Sequence, residues 1–128
     1  MECHACDRPL VTFRVPESMR DHGPGETAAI CTRCLALEPA SEASGDPDFS
    51  TIIDAFPEGE TGAAMALCVG FAVDSIALNR EAIEDCMEFV SDRGVDPWLV
   101  LERLAASGAV QPEADLGRAR QQLQQLLE

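Results

Sequence analysis

Lysine does not occur in this 128-residue sequence; all nine basic residues are arginine, against 23 Asp and Glu. Without lysine there is no glycine-rich phosphate loop of the lysine-terminated kind. The formal net charge of −14 sets the surface against nucleic acid, whose affinity for proteins comes largely from Lys and Arg on phosphates. It also sets the surface against anionic membranes. Tyrosine is absent, Trp occurs once and Phe five times, so any core is mostly aliphatic. With only two histidines, no Ser–His–acid set stands out. The longest apolar run, residues 63–73, falls well short of the roughly 20 residues a membrane-spanning helix needs. No export signal is read at the N-terminus, and no repeat is evident. A cytoplasmic protein is expected, in a compartment where disulfides are rare and clustered cysteines more often bind metal.

What is present is a globular composition, 46% apolar, with room for one domain or for a small module joined to a helical one. The charge is unevenly spread. Residues 1–36 carry four Arg and five acids, a net of −1, and residues 37–128 carry five Arg and 18 acids, a net of −13. Dense carboxylates repel one another little in molar salt, where the Debye length is about 3 Å. The acid excess without lysine therefore reads as halophilic adaptation rather than as a merely solubilising face.

Four of the six cysteines fall in two pairs, Cys3-x2-Cys6 and Cys31-x2-Cys34, separated by 24 residues. Two intervening residues let one tight turn aim both thiolates at a single ion. Two such turns complete the four soft, tetrahedral ligands that Zn2+ takes in structural sites. Residues 10–15 (Leu-Val-Thr-Phe-Arg-Val) form a β-prone run ended by Pro16, and a hairpin built on it would bring the turns together. The residue after the second cysteine of such a turn often adopts positive φ. Asp7 tolerates that conformation but Leu35 does not, so the second turn is expected to run straight into a strand or helix. A rubredoxin-like iron site or an iron–sulfur cluster stays open on ligand type. Two disulfides, or a redox-active Cys-x-x-Cys, are less favoured for want of an export signal or a βαβ setting. His4 and His22 read as solvent-facing or loop residues, and Cys68 and Cys86 as small buried apolar side chains.

Residues 37–46 read as a polar linker with Pro39 and Gly45, and everything after them as helical. Asp46 and Pro47 open a short helix with Phe49, Ile52, Ile53 and Phe56 on one stripe, ended by Pro57. A longer pattern spans 61–93, with Val69, Ile76, Ile83 and Val90 every seventh residue. No Gly or Pro lies between Phe71 and Arg93, so one continuous helix is expected there; the alternative is a break with Asn79 as N-cap. Gly94 is the expected stop. Asp96-Pro97 caps the next helix, with Leu101, Leu104 and Ala105 buried. A last helix begins near Asp115, with Leu116, Ala119, Leu123, Leu126 and Leu127 inward and the glutamines outward. Glu81, Glu84, Asp85 and Glu88 read as a solvated face.

The combined pattern resembles a family of small haloarchaeal proteins of unknown function. The residues that carry the resemblance are Cys3-His4-Ala5-Cys6, Val15-Pro16-Glu17, Ile30-Cys31-Thr32-Arg33-Cys34-Leu35, Asp46-Pro47-Asp48-Phe49-Ser50 and Gly94-Val95-Asp96-Pro97-Trp98-Leu99-Val100-Leu101. The resemblance implies a zinc-ribbon-like head on a helical body in a salt-rich cytoplasm, and no activity. The expected fold is mostly α: a short β-hairpin zinc module (1–36), a linker (37–46) and a bundle of about four helices (47–128). The expected metal ligands are Cys3, Cys6, Cys31 and Cys34. Four cysteine ligands leave no open coordination position, so no enzyme is expected. The preferred role is a protein-interaction or adaptor module whose partner is another protein, including a second copy through the terminal helix. A nucleic-acid-associated zinc-ribbon regulator is the alternative, and a thiol redox protein the least favoured.

Overall fold

The computed structural model describes residues 3, 8–22, 25–42, 47–108, 110 and 116–127. The β-prone run forms strand β1, Leu10–Arg14, with Val11 and Phe13 turned inward and Arg14 outward. This is the period-2 alternation of a half-buried strand. β2, Thr27–Cys31, is buried at four successive positions, Ala28 to Cys31. It lies between β1 and β3 (Leu37–Pro39) in an antiparallel sheet of order β1-β2-β3. Val11 faces Ile30 and Phe13 faces Ala28 across the first ladder; Ile30 faces Leu37 across the second. A 3-10 segment, Glu17–His22, fills the hairpin connection and buries Met19.

β3 begins inside the stretch expected to be a linker, 37–46. Its composition is compatible with a short edge strand, where Pro39 need not donate to a ladder. Ala40 still donates to the Thr27 carbonyl at 3.2 Å. The short helix expected after residue 46 is a 3-10 turn, Phe49–Thr51, and its cap is Asp48, whose carboxylate accepts from Ser50 N at 3.1 Å. Asp46 lies outside the described residues. The stripe itself is present: Phe49, Ile52 and Phe56 are buried, and Phe49 lies 5.6 Å from the rings of both Phe13 and Phe56.

Helix α1, Gly59–Asp74, is buried at every position from Gly62 to Ala72. A helix apolar on all sides is a central one, and its small residues let neighbours approach closely. A Cβ on Gly70 would lie 2.8 Å from Leu37 Cβ, so α1 rests almost directly on β3. The continuous helix expected over 61–93 does not form. Ser75 is extended (φ −168°, ψ 115°), and α2 begins at Arg80 and runs to Asp92. Two polar side chains offer the backbone local partners in place of the helical ladder. Ser75 Oγ accepts from Leu78 N at 3.2 Å. Asn79 Nδ2 donates to the Phe71 carbonyl at 3.1 Å and to Asp74 Oδ2 at 3.0 Å. Asn79 occupies the N-cap position of α2, yet its side chain closes the C-terminus of α1. Val69, Ile83 and Val90 are fully buried because α2 packs back along α1.

Gly94 (φ 82°) ends α2 as expected, with Val95 N donating to the Val90 carbonyl at 3.3 Å, the six-to-one bond of a Schellman cap. Asp96 caps α3, Pro97–Ala106, accepting from Trp98 N at 3.0 Å and Leu99 N at 3.4 Å. Val100, Leu101 and Leu104 are buried, while Ala105, expected beside them, is exposed; α4 covers only the narrower stripe. α4, Leu116–Leu127, buries Leu116, Ala119 and Leu123, while Leu126, expected inward with them, is exposed. Asp115 lies outside the described residues. Among the described residues, the fold is thus a small three-stranded antiparallel sheet followed by four α-helices. Val11, Phe13, Val15, Ile30 and Leu35 of the sheet region belong to the same buried cluster as α1 and α2.

Candidate metal centre

The hairpin sets Cys3, which precedes β1, beside Cys31, the last residue of β2, and Cys34 in the turn that follows. The three sulfurs all lie within 4.8 Å of one another, and Cys3 Sγ is 3.7 Å from Cys34 Sγ. Four sulfurs about 2.3 Å from a central ion stand roughly 3.8 Å apart at tetrahedral geometry. That separation would suit two ligands of one ion and is far longer than a disulfide, near 2.05 Å. Cys3 and Cys31 are buried and Cys34 is half-buried.

Hydrogen bonds shape the second turn. Arg33 N and Cys34 N both donate to Cys31 Sγ at 3.4 Å, the contacts that stabilise a thiolate or metal-bound sulfur. Leu35 N donates to the Cys31 carbonyl at 3.2 Å, and Cys31 N donates to the Ala36 carbonyl at 3.0 Å. The first turn closes in the same way: Cys3 N donates to the Arg8 carbonyl at 2.9 Å. Both bonds run from the first cysteine to the residue five positions on. Cys6, the fourth expected ligand, lies outside the described residues. Thr32 joins the turns, its N and Oγ1 both donating to the Pro9 carbonyl at 3.3 and 3.1 Å.

The expectation at Leu35 is corrected. It adopts φ +63°, the left-handed conformation that a side chain normally opposes at about 1–2 kcal/mol. Its side chain is fully buried, and burying a leucine is worth about 1.5–3 kcal/mol. The core therefore offsets the strain, and the turn keeps the positive φ that lets it curl round the sulfurs.

His22, Cys68 and Cys86 lie elsewhere. His4 is outside the described residues. His22 pairs its Nε2 with Asp85 Oδ2 at 2.7 Å, tying the hairpin connection to α2. Sequence reasoning had placed Asp85 on a solvated face and His22 in a loop, and no local pattern relates residues 63 positions apart. Burial pushes the Cys68 thiol up to about 12. Burial, then Cys68 and then Asp85, raises Cys86 as well, whose sulfur lies 3.8 Å from Met19 Sδ. These two are core thiols held in their neutral form.

Residues 2–127 match the family of unknown function DUF6276. The chain belongs to this family. No curated protein and no solved structure matches the DUF6276 chain. Among its described residues, no helix is long and apolar enough to cross a membrane. Three DUF6276 cysteines, Cys3, Cys31 and Cys34, are placed so that they could hold a metal ion.

Proposed function

We propose that Cys3, Cys6, Cys31 and Cys34 hold one structural Zn2+, and that the protein is a non-enzymatic interaction module of a salt-rich cytoplasm, with another protein as its partner. The observation that carries the metal reading is the convergence of three sulfurs within 4.8 Å on two turns closed by the same hydrogen bond. Zinc suits four thiolates because it imposes no redox chemistry and favours a closed tetrahedral shell. Its role here is to pin the two cysteine turns to each other at one end of the β1–β2 hairpin. A closed shell of four protein ligands leaves no place for substrate, which supports binding rather than catalysis.

The acid-coated body argues against nucleic acid as the partner, since the chain carries −14 overall and the four arginines of residues 1–36 are scattered. The test is elemental analysis of the purified protein with its Cys6→Ser variant. About one zinc per chain is expected, sharply reduced in the variant, and Co2+ should substitute with a thiolate-to-metal charge-transfer band. Iron in place of zinc, or a metal content that Cys6→Ser leaves unchanged, would overturn the assignment. A mobility shift with short DNA or RNA, abolished by Arg14→Ala and Arg33→Ala, would overturn the protein-partner reading alone.

A further inference from the structure

The three described sulfurs of the cysteine centre differ in their access to solvent. Cys3 is 3% exposed and Cys31 0%, whereas Cys34 is half-buried in the turn that follows β2. A small solute therefore meets Cys34 before either of the others. Cys3 Sγ stands 3.7 Å from Cys34 Sγ and belongs to the other turn. Cys31 Sγ accepts the backbone N–H groups of Arg33 and Cys34, each at 3.4 Å, which engage its lone pairs within its own turn. An accessible sulfur with a second thiol close by is the arrangement found at oxidant-sensing cysteines, the second thiol resolving the first oxidation product.

We propose that Cys34 is the oxidation site of the cysteine centre and Cys3 its resolving residue, so that a hydroperoxide converts the pair to a disulfide and frees the metal ion. The proposal rests on the zinc reading above. The Cys34 sulfur attacks one oxygen of hydrogen peroxide; an S–O bond forms, the O–O bond breaks, and hydroxide leaves. The Cys3 sulfur then attacks the Cys34 sulfur; the S–S bond forms, the S–O bond breaks, and a second hydroxide leaves. Two thiolates give up two electrons and one peroxide takes them. The centre thereby loses two of its four thiolate ligands, and ligation by thiolate is what holds zinc in such a site.

The choice of pair has a structural consequence. Cys3 and Cys34 lie on different turns, so their disulfide would tie the two turns together as the ion does. A bond between Cys31 and Cys34 would lie within one turn and tie nothing across the hairpin. Oxidation at the proposed pair thus releases metal while the hairpin stays closed, and a thiol reductant restores the ligands by exchange.

The test treats the zinc-loaded full chain with hydrogen peroxide in molar KCl beside a chromogenic zinc chelator, and maps disulfides by mass spectrometry. About one zinc released per chain, a Cys3–Cys34 disulfide, and renewed metal binding after a thiol reductant are expected. Cys68 and Cys86, buried and held neutral, stay reduced and serve as internal controls. Serine at a ligand position can prevent metal loading, so a second measurement uses the unaltered chain. With limiting iodoacetamide, Cys34 should be labelled about tenfold faster than Cys3 or Cys31. Metal content before peroxide tests the zinc reading by itself, and the disulfide map and labelling order decide the oxidation chemistry in either case. A disulfide at any other cysteine pair, zinc retained under peroxide or lost without a disulfide, or Cys3 or Cys31 labelled ahead of Cys34 would overturn the proposal.

Discussion

Leu35 shows how one side chain can serve two masters. Its backbone supplies the left-handed step that the cysteine turn needs, and its side chain fills the core. Substitutions separate these effects. Leu35→Ala keeps the positive φ and loses the burial, a loss of about 2–5 kcal/mol for a buried leucine. Leu35→Gly loses the same burial but relieves about 1 kcal/mol of backbone strain. Chemical denaturation should therefore rank Leu35→Gly above Leu35→Ala in stability, the reverse of the order at an ordinary strand or helix position. The position was legible in the sequence as one that demands special backbone geometry. Its outcome was not, because the compensating burial comes from residues distant in the chain. The His22–Asp85 pair was hidden for the same reason, whereas the cysteines announced themselves through spacing alone.

Among the elements, the caps were the most readable. Asp96-Pro97 and Gly94 act locally, and both do what their chemistry dictates. The break between α1 and α2 was not readable as the preferred outcome, since the heptad spacing of Val69, Ile83 and Val90 fits two helices packed back on each other as well as one rod. Ser75 and Asn79 settle it by taking up backbone groups. Asn79→Ala should cost about 1 kcal/mol by removing the donor to the Phe71 carbonyl. Thermal melting reads the loss, and far-UV circular dichroism should show no gain in helix; a gain would mean that the two helices had fused. β3 was missed because a three-residue edge strand with proline carries almost no sequence signal, and Phe49–Thr51 because i, i+3, i+4 spacing does not distinguish a single 3-10 turn from a short helix.

For the molecule as a whole, the division expected at residues 36 and 47 meets a buried cluster that runs across it. Phe13 leans on Phe49, and α1 lies against Leu37 at Gly70. If residues 1–36 and 47–128 folded as separate units, Cys31→Ser would unfold the first and leave the helical signal largely intact. With one shared core, the expected outcome is instead a single cooperative transition, shifted down in temperature, with the helical signal and Trp98 fluorescence melting together. Two separated transitions would show that the two parts unfold independently. Stability should also rise as KCl is raised toward molar concentration, because screening relieves repulsion among carboxylates; a melting temperature that does not respond would show that the acids are already well separated.

The close seating of β3 on α1 at Gly70 also sets an order of events during synthesis. The cysteine hairpin leaves the ribosome first, but the helix that backs it follows some thirty residues later in the chain. Until that helix arrives, Leu37 of β3 lacks the surface it packs against. The sheet is thus made before the helix it rests on, and its packing waits on translation of that helix.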